Sequence, residues 1–161
     1  MTAQPTGVAA DRADGVTIVP LRWWHIEELM PIEADLFGEE RWTPGIFWSE
    51  LAAGHFYRVA IDAHGHVCGY GGLAVSPDEA WIQNIAVRRD HQREGLGRAL
   101  LHVLLAEALR RGARKVMLEV AVDNGPAQRL YESEGFQGIG VRHGYYQPSN
   151  TDALVMRRDE T

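Results

Sequence analysis

Residues 79–121 hold the pattern that most limits the fold. "EAWIQNIAVRR" (79–89) reads as a strand. A loop ending in Gly95-Leu96-Gly97 opens "GLGRALLHVLLAEALRRG" (95–112), a strong amphipathic helix. Leu96, Leu100, Val103, Leu104 and Ala108 form its apolar stripe, widened by Leu101, Leu105 and Leu109. Gly112 ends it. "KVMLEVAV" (115–122) follows as a second strand. A strand, a long helix and a strand make a β-α-β crossover, which requires a parallel pair with the helix packed on one face of the sheet.

The flanking segments extend that sheet. "VTIVPL" (16–21), "HFYRVAID" (55–62) and "HVCGYGGLAV" (66–75) read as strands, the latter two joined by a tight turn at 63–65. "RWWHIEELMPIEADLF" (22–37) places Trp24, Leu29, Ile32, Leu36 and Phe37 at helical spacing, with Pro31 expected to kink or divide it. "WTPGIFWSELAAG" (42–54) has Thr43 as N-cap, Pro44 at the first helical position and Gly54 after the end. After the crossover come a short helix over 125–134, capped by Asn124 and followed by Gly135, and strands over 136–146 and 151–158. The expected fold is α/β (α+β), a mixed central sheet with helices on both faces. Residues 16–161 are expected to form one domain. "MTAQPTGVAADRADG" (1–15) is small, polar and Gly/Pro-containing, and is expected to be a disordered tail.

Composition narrows the function. A chain of 161 residues with 45% hydrophobic content suits one globular domain. No apolar run approaches the ~18 residues of a membrane span, and the N-terminus lacks the basic start and apolar core of a signal peptide. The lone Cys68 excludes an intrachain disulfide. A cytoplasmic protein is the simplest expectation. The net charge of −6 is opposite in sign to that of a bulk nucleic-acid binder, so no direct nucleic-acid contact is expected. In "HGHVC", His64, His66 and Cys68 alternate, but the turn at Gly65 breaks the geometry of a metal site, and no metal is expected.

Three features point to chemistry. The loop before the long helix exposes backbone N–H groups at a helix N-terminus, with Arg93 and Arg98 nearby, which is a seat for a diphosphate. An isolated Gly-x-Gly is more often only a tight loop, and this one is neither a Walker loop nor a Rossmann fingerprint. Asn124 and Tyr131 lie two turns apart on nearly the same side of the short helix, although each has a structural role available as cap or core aromatic. Glu119 stands alone in an apolar strand, where an ionised carboxylate costs several kcal/mol unless compensated. It is either paired with one of the chain's cations or placed as a general base beside the anion loop.

"IAVRRDHQREGLGRALL" resembles the acetyl-CoA-binding signature of the GNAT N-acetyltransferases, Gln/Arg-x-x-Gly-x-Gly/Ala, with Gln92, Gly95 and Gly97 in its places. "LEVAVDNGPAQRLYESEGF" resembles the second half of that signature. "WTPGIFWSEL" and the late "YY" followed by "DALVMRR" are similar to the RimI-type branch, which acetylates protein N-termini, including that of a small-subunit ribosomal protein. The resemblance covers roughly residues 16 to 158. It implies a GNAT fold of about seven strands. It implies that Ile85, Ala86 and Val87 present backbone to the pantetheine and thioester of acetyl-CoA. Gln92, Arg93, Glu94, Gly95, Leu96, Gly97 and Arg98 would form the diphosphate seat, and Asn124 would contact the pantetheine arm. Glu119 would be the base and Tyr131 the acid. Phe37, Trp42, Tyr145 and Tyr146 would lie near the peptide. Direct transfer in a ternary complex needs no metal.

Two positions depart from the branch. Ala121 stands where an arginine is frequent, and a glycine, Gly144, precedes the tyrosines. Both lie where a peptide would bind, so the acceptor stays open. A protein N-terminus, with a ribosomal protein as one candidate, is the first reading. A lysine or small-molecule amine is the second. A non-catalytic acetyl-CoA sensor is the third, though it would need neither Glu119 nor Tyr131. The sequence leaves the oligomeric state undetermined.

Overall fold

The computed structural model describes residues 12–13 and 15–160. Most of the expected disordered tail lies outside them. At its end Arg12–Ala13 form a short strand, β1, turned back at Gly15 onto β2 (Val16–Pro20).

The remaining strands are β3 (Phe56–Ile61), β4 (Val67–Val75), β5 (Glu79–Val87), β6 (Lys115–Ala121), β7 (Gln137–Tyr146) and β8 (Thr151–Asp159). They form one sheet in the order β1-β2-β3-β4-β5-β6-β8-β7. With the two-residue β1 counted it has eight strands, in keeping with the expected sheet of about seven. Only β5 and β6 run parallel, as the crossover requires. A one-turn 3₁₀ segment, Trp23–His25, leads into α1 (Ile26–Phe37), followed by α2 (Pro44–Ala52), α3 (Leu96–Arg110) and α4 (Gly125–Ser133).

The helices cover both faces. Ile26, Leu29 and Ile32 of α1 and Phe47 of α2 pack with Tyr57 and Tyr70 on one side. Leu101, Leu104 and Ala108 of α3 and Tyr131 of α4 pack with Leu118 and Val120 on the other. The "CGYGG" run of β4 makes the close approach possible. A Cβ on Gly69 or Gly71 would lie 3.3 Å from the leucines of α3, and one on Gly72 would lie 2.1 Å from the Tyr57 ring. Such a run builds a sheet thin enough at its centre for α3 and an aromatic ring to lie flat against it.

Two expectations for the first helix are corrected. Pro31 sits inside α1 without dividing it. Its missing N–H removes one backbone bond, while the buried face of Ile26, Leu29, Ile32 and Glu33 runs past it on both sides. Trp24 does not join that face, because it belongs to the 3₁₀ turn and is 58% exposed. Leu109 likewise leaves the stripe of α3 for solvent. The caps are as expected. Thr43 Oγ1 accepts from Ile46 N at 3.3 Å, and Asn124 Oδ1 accepts from Ala127 N at 3.2 Å.

Candidate active site

The site begins where β5 and β6 part. Their pairing covers only Glu79↔Lys115, Ala80↔Val116 and Trp81↔Met117. From Ile82 and Leu118 onward the strands diverge, while β5 keeps its pairing with β4 through Val87. A bulge near Gly72/Leu73 sets two residues, Gln83 and Asn84, where a regular strand would have one, and this bends β5 away. The gap holds a cavity of about 670 Å³.

Glu119 and Tyr131 both line it. Leu118 and Val120 pack in the core that contains Tyr131, so by alternation along β6 Glu119 points to the opposite face of the sheet. The carboxylate and the phenol therefore reach the gap from opposite sides. Tyr131 is buried, and burial pushes its phenol up to about 12.

Glu119 retains 15% side-chain exposure and is paired with the guanidinium of Arg142 on β7. Glu119 thus has a cationic partner and also lines the cavity. Tyr145 also hydrogen-bonds it, and the Tyr145 phenol is shifted upward by burial and then by that carboxylate. The Arg142 guanidinium lies 5.8 Å from the Tyr145 ring centroid.

Phe37 and Trp42 line the cavity on the side of α1 and α2, Tyr146 from the end of β7, and Asn124 from the start of α4. Tyr145 does not line the cavity; it is 46% exposed, its ring edge-to-face with that of Tyr146 at 5.0 Å. The tyrosines are presented by an irregularity of the β7–β8 pairing between Arg142 and Tyr146. Gly144 belongs to that irregularity. Its φ of +63° is one that side-chain-bearing residues rarely adopt, and its N–H donates to Asp152 Oδ1 at 2.7 Å. The departure at Gly144 is thus a requirement of this hairpin. Across the mouth, Glu40 Oε2 accepts from Ser149 N at 3.1 Å, joining the loop after α1 to the β7–β8 turn.

Of the backbone segment Ile85, Ala86 and Val87, only Ile85 borders the cavity; the other two carry β5 toward the loop. Gln92 Nε2 donates to Val87 O at 3.0 Å and folds the loop onto the strand end. Arg93 and Gly95 both have positive φ, 67° and 82°, so the chain from Gln92 to Gly97 winds its amides into the N-terminus of the fifteen-residue α3. Left-handed residues ahead of a helix N-terminus form an anion-binding concavity, and these residues fit a diphosphate. The side chains do less. Arg98 is engaged by Ser133 and Glu134, and Glu94 bonds His91. In the β3–β4 hairpin, the His64 and His66 amides donate to Asp62 Oδ1 at 2.8 and 3.0 Å, which makes a turn of the "HGHVC" segment. Among the described residues no group of three or more metal-ligating side chains converges, and no helix is long and apolar enough to cross a membrane.

Sequence reasoning passed over two carboxylates, Glu33 and Glu50, and four of their side-chain partners, Tyr57, Tyr70, Gln83 and Asn84. Glu33 of α1 is 1% exposed and lines the cavity, where it accepts from Trp42 N, Tyr70 Oη and Asn84 Nδ2. Glu50 of α2 accepts from Tyr57 Oη and Gln83 Nε2. A signal for Glu33 existed. It lies four residues after Leu29, inside the apolar stripe, and is as anomalous there as Glu119 is in its strand.

Residues 19–136 match the Acetyltransferase (GNAT) family. The chain is 40% identical over 149 residues to the N-alpha-acetyltransferase RimI of Mycobacterium tuberculosis, covering 89% of this chain and 92% of that protein. It is 42% identical over 117 residues to the [ribosomal protein bS18]-alanine N-acetyltransferase of Escherichia coli, covering 71% and 78%. The crystal structure of the ribosomal-protein-S18-alanine N-acetyltransferase from Escherichia coli superposes with a TM-score of 0.81 at 33% identity, covering 89% of this chain and 93% of that one. The parted parallel strands, the glycine loop at the helix N-terminus and these matches agree: the chain belongs to the GNAT acetyltransferase family.

Proposed function

We propose that this protein transfers the acetyl group of acetyl-CoA to the N-terminal α-amine of a protein, with a ribosomal-protein-type substrate. The observation that carries the proposal is the meeting of Glu119 and Tyr131 in one gap from opposite faces of the sheet. The names of the relatives support the α-amine acceptor over lysine or a small-molecule amine.

An α-amine has a pKa of about 8, so near neutral pH most of it is protonated and cannot attack. Glu119, facing the acceptor side, takes that proton directly or through water. The free amine then attacks the thioester carbon. The C–N bond forms, the C–S bond breaks, and the Tyr131 hydroxyl protonates the departing thiolate. The nitrogen sheds a second proton as the adduct collapses. One of its two protons thus replaces the one given up by Tyr131, and the other leaves to solvent. Within residues 85–87 the Ala86 N–H points to β4, as the Arg88 N–H does, so the oxyanion that develops is stabilised by N–H groups that face away from β4, that of Ile85 first, and one such donor is typically worth ~3 kcal/mol. The amides of residues 93–98 hold the diphosphate, and the Asn124 Nδ2 amide group donates to the pantetheine arm while Oδ1 caps α4. Phe37, Trp42, Tyr145 and Tyr146 hold the peptide. No step calls on a metal.

The test is mass spectrometry of a peptide library incubated with protein and acetyl-CoA. Acetylation at free N-termini is expected. If only peptides with blocked N-termini and internal lysines react, the α-amine reading is wrong.

A further inference from the structure

Glu33 has no evident reason to be a carboxylate if its task is to fill space. It is 1% exposed, and its three hydrogen-bonding partners are a backbone amide, a phenol and a carboxamide, none of them a cation. Apolar side chains of similar volume commonly replace buried charges without loss of stability. What distinguishes Glu33 is the set of segments it joins. Trp42 N, at 2.7 Å, belongs to the acceptor-side loop between α1 and α2. Tyr70 Oη, at 2.5 Å, comes from β4. Asn84 Nδ2, at 2.9 Å, comes from the β5 bulge, immediately before the 85–87 backbone. The neighbouring bulge residue is held in the same way, since Gln83 Nε2 donates to Glu50 at 3.2 Å and Glu50 also accepts from Tyr57. In a regular strand residues 83 and 84 would face opposite sides. Here both reach carboxylates on the α1–α2 side, and Gly72 opposite leaves room for the Tyr57 ring.

We propose that Glu33 is a positioning residue for acetyl transfer, its carboxylate fixing the β5 bulge and the acceptor-side loop in one geometry so that the 85–87 backbone and the incoming amine meet in register. The proposal rests on the acetyl-transfer reading above. Glu33 itself does not touch the reacting atoms. It acts through Asn84 and Trp42, and a displacement of even about 1 Å at a reacting centre costs up to roughly 100-fold in rate.

The test uses Glu33→Gln, Asn84→Asp and the double variant. In Glu33→Gln the amide oxygen stays on the Trp42 N–H, and the new amide NH2 group meets the Asn84 amide NH2 group, donor against donor. In the double variant the introduced glutamine donates to the introduced aspartate, and the bond is restored with its polarity reversed. The expected result is a fall in kcat of about 10- to 100-fold for each single variant, with acetyl-CoA affinity within about threefold of the parent by calorimetry. Amide hydrogen exchange should rise at Trp42 and along residues 82–87. The double variant should recover at least part of both kcat and protection. Single variants with parental kcat and parental exchange would overturn the proposal. So would a double variant that shows only the product of the two single losses, since a generic loss of packing is not rescued by a polarity swap. The two readings fail separately. If the parent acetylates lysine instead of α-amines, the acceptor assignment falls and the same variants are assayed on lysine. If the parent acetylates nothing, the exchange measurements still decide whether Glu33 holds the bulge.

Discussion

Glu119 sits between Arg142, whose side chain is 53% exposed, and the cavity. The arginine supplies the counter-charge that a carboxylate among apolar neighbours requires, and on the proposed chemistry the cavity side is where the proton arrives. Glu119→Gln is expected to lower the rate about 100-fold or more below pH 8. Partial recovery should follow as the pH rises past the amine's own pKa of about 8 and free amine becomes available without a base. A pH–rate profile identical to the parent's would remove Glu119 from that role. Tyr131 is raised to about 12 by burial, so its phenol is protonated throughout the working range. Tyr131→Phe should lower kcat while leaving acetyl-CoA affinity nearly unchanged, which stopped-flow and calorimetric measurements together would show. Both were singled out in the sequence because each breaks or joins a local pattern. Arg142 was not, since it reaches Glu119 across the intervening β8, whose pairing with β6 and β7 sets that approach and is encoded in no local pattern. Glu33 was missed for a different reason: helical spacing was read for its apolar members alone.

At the level of elements, the caps, turns and helix ends follow from side-chain chemistry confined to a few residues, and the sequence placed them well. Helix interiors were harder. Pro31 argued for a break, yet the apolar face of α1 continues through it, and tertiary packing outweighs one lost backbone bond. Trp24 and Leu109 matched the period but lie where no neighbour covers them. The glycines of β4 were read only as strand, and their purpose appears once α3 and Tyr57 are laid on them. Gly72→Ala is expected to destabilise the protein by about 1–3 kcal/mol, because the new methyl would overlap the Tyr57 ring and push it off Glu50. Urea unfolding measures this, and an unchanged midpoint would show that the ring moves freely.

For the whole molecule, part of the loss of stability in acid comes from the β3–β4 hairpin. Asp62 accepts from the His66 and His64 amides and from Arg88, and these bonds outweigh burial to hold its carboxyl down at about 2 from an ordinary 3.8. A lowered carboxyl contributes stability that is complete above the unfolded value and lost as the pH falls toward the folded one. Asp62→Asn should therefore cost about 2 kcal/mol at neutral pH and show less dependence than the parent between about pH 4 and 2. Thermal melts across that window would check it.

The parting of β5 from β6 makes the sheet a wall with a slot in it. On the proposed chemistry the coenzyme lies along one side of the wall and the polypeptide along the other, and only an acetyl group passes through. Each product then has its own exit, so an acetylated chain can depart while spent coenzyme is still in place, and neither departure has to wait for the other.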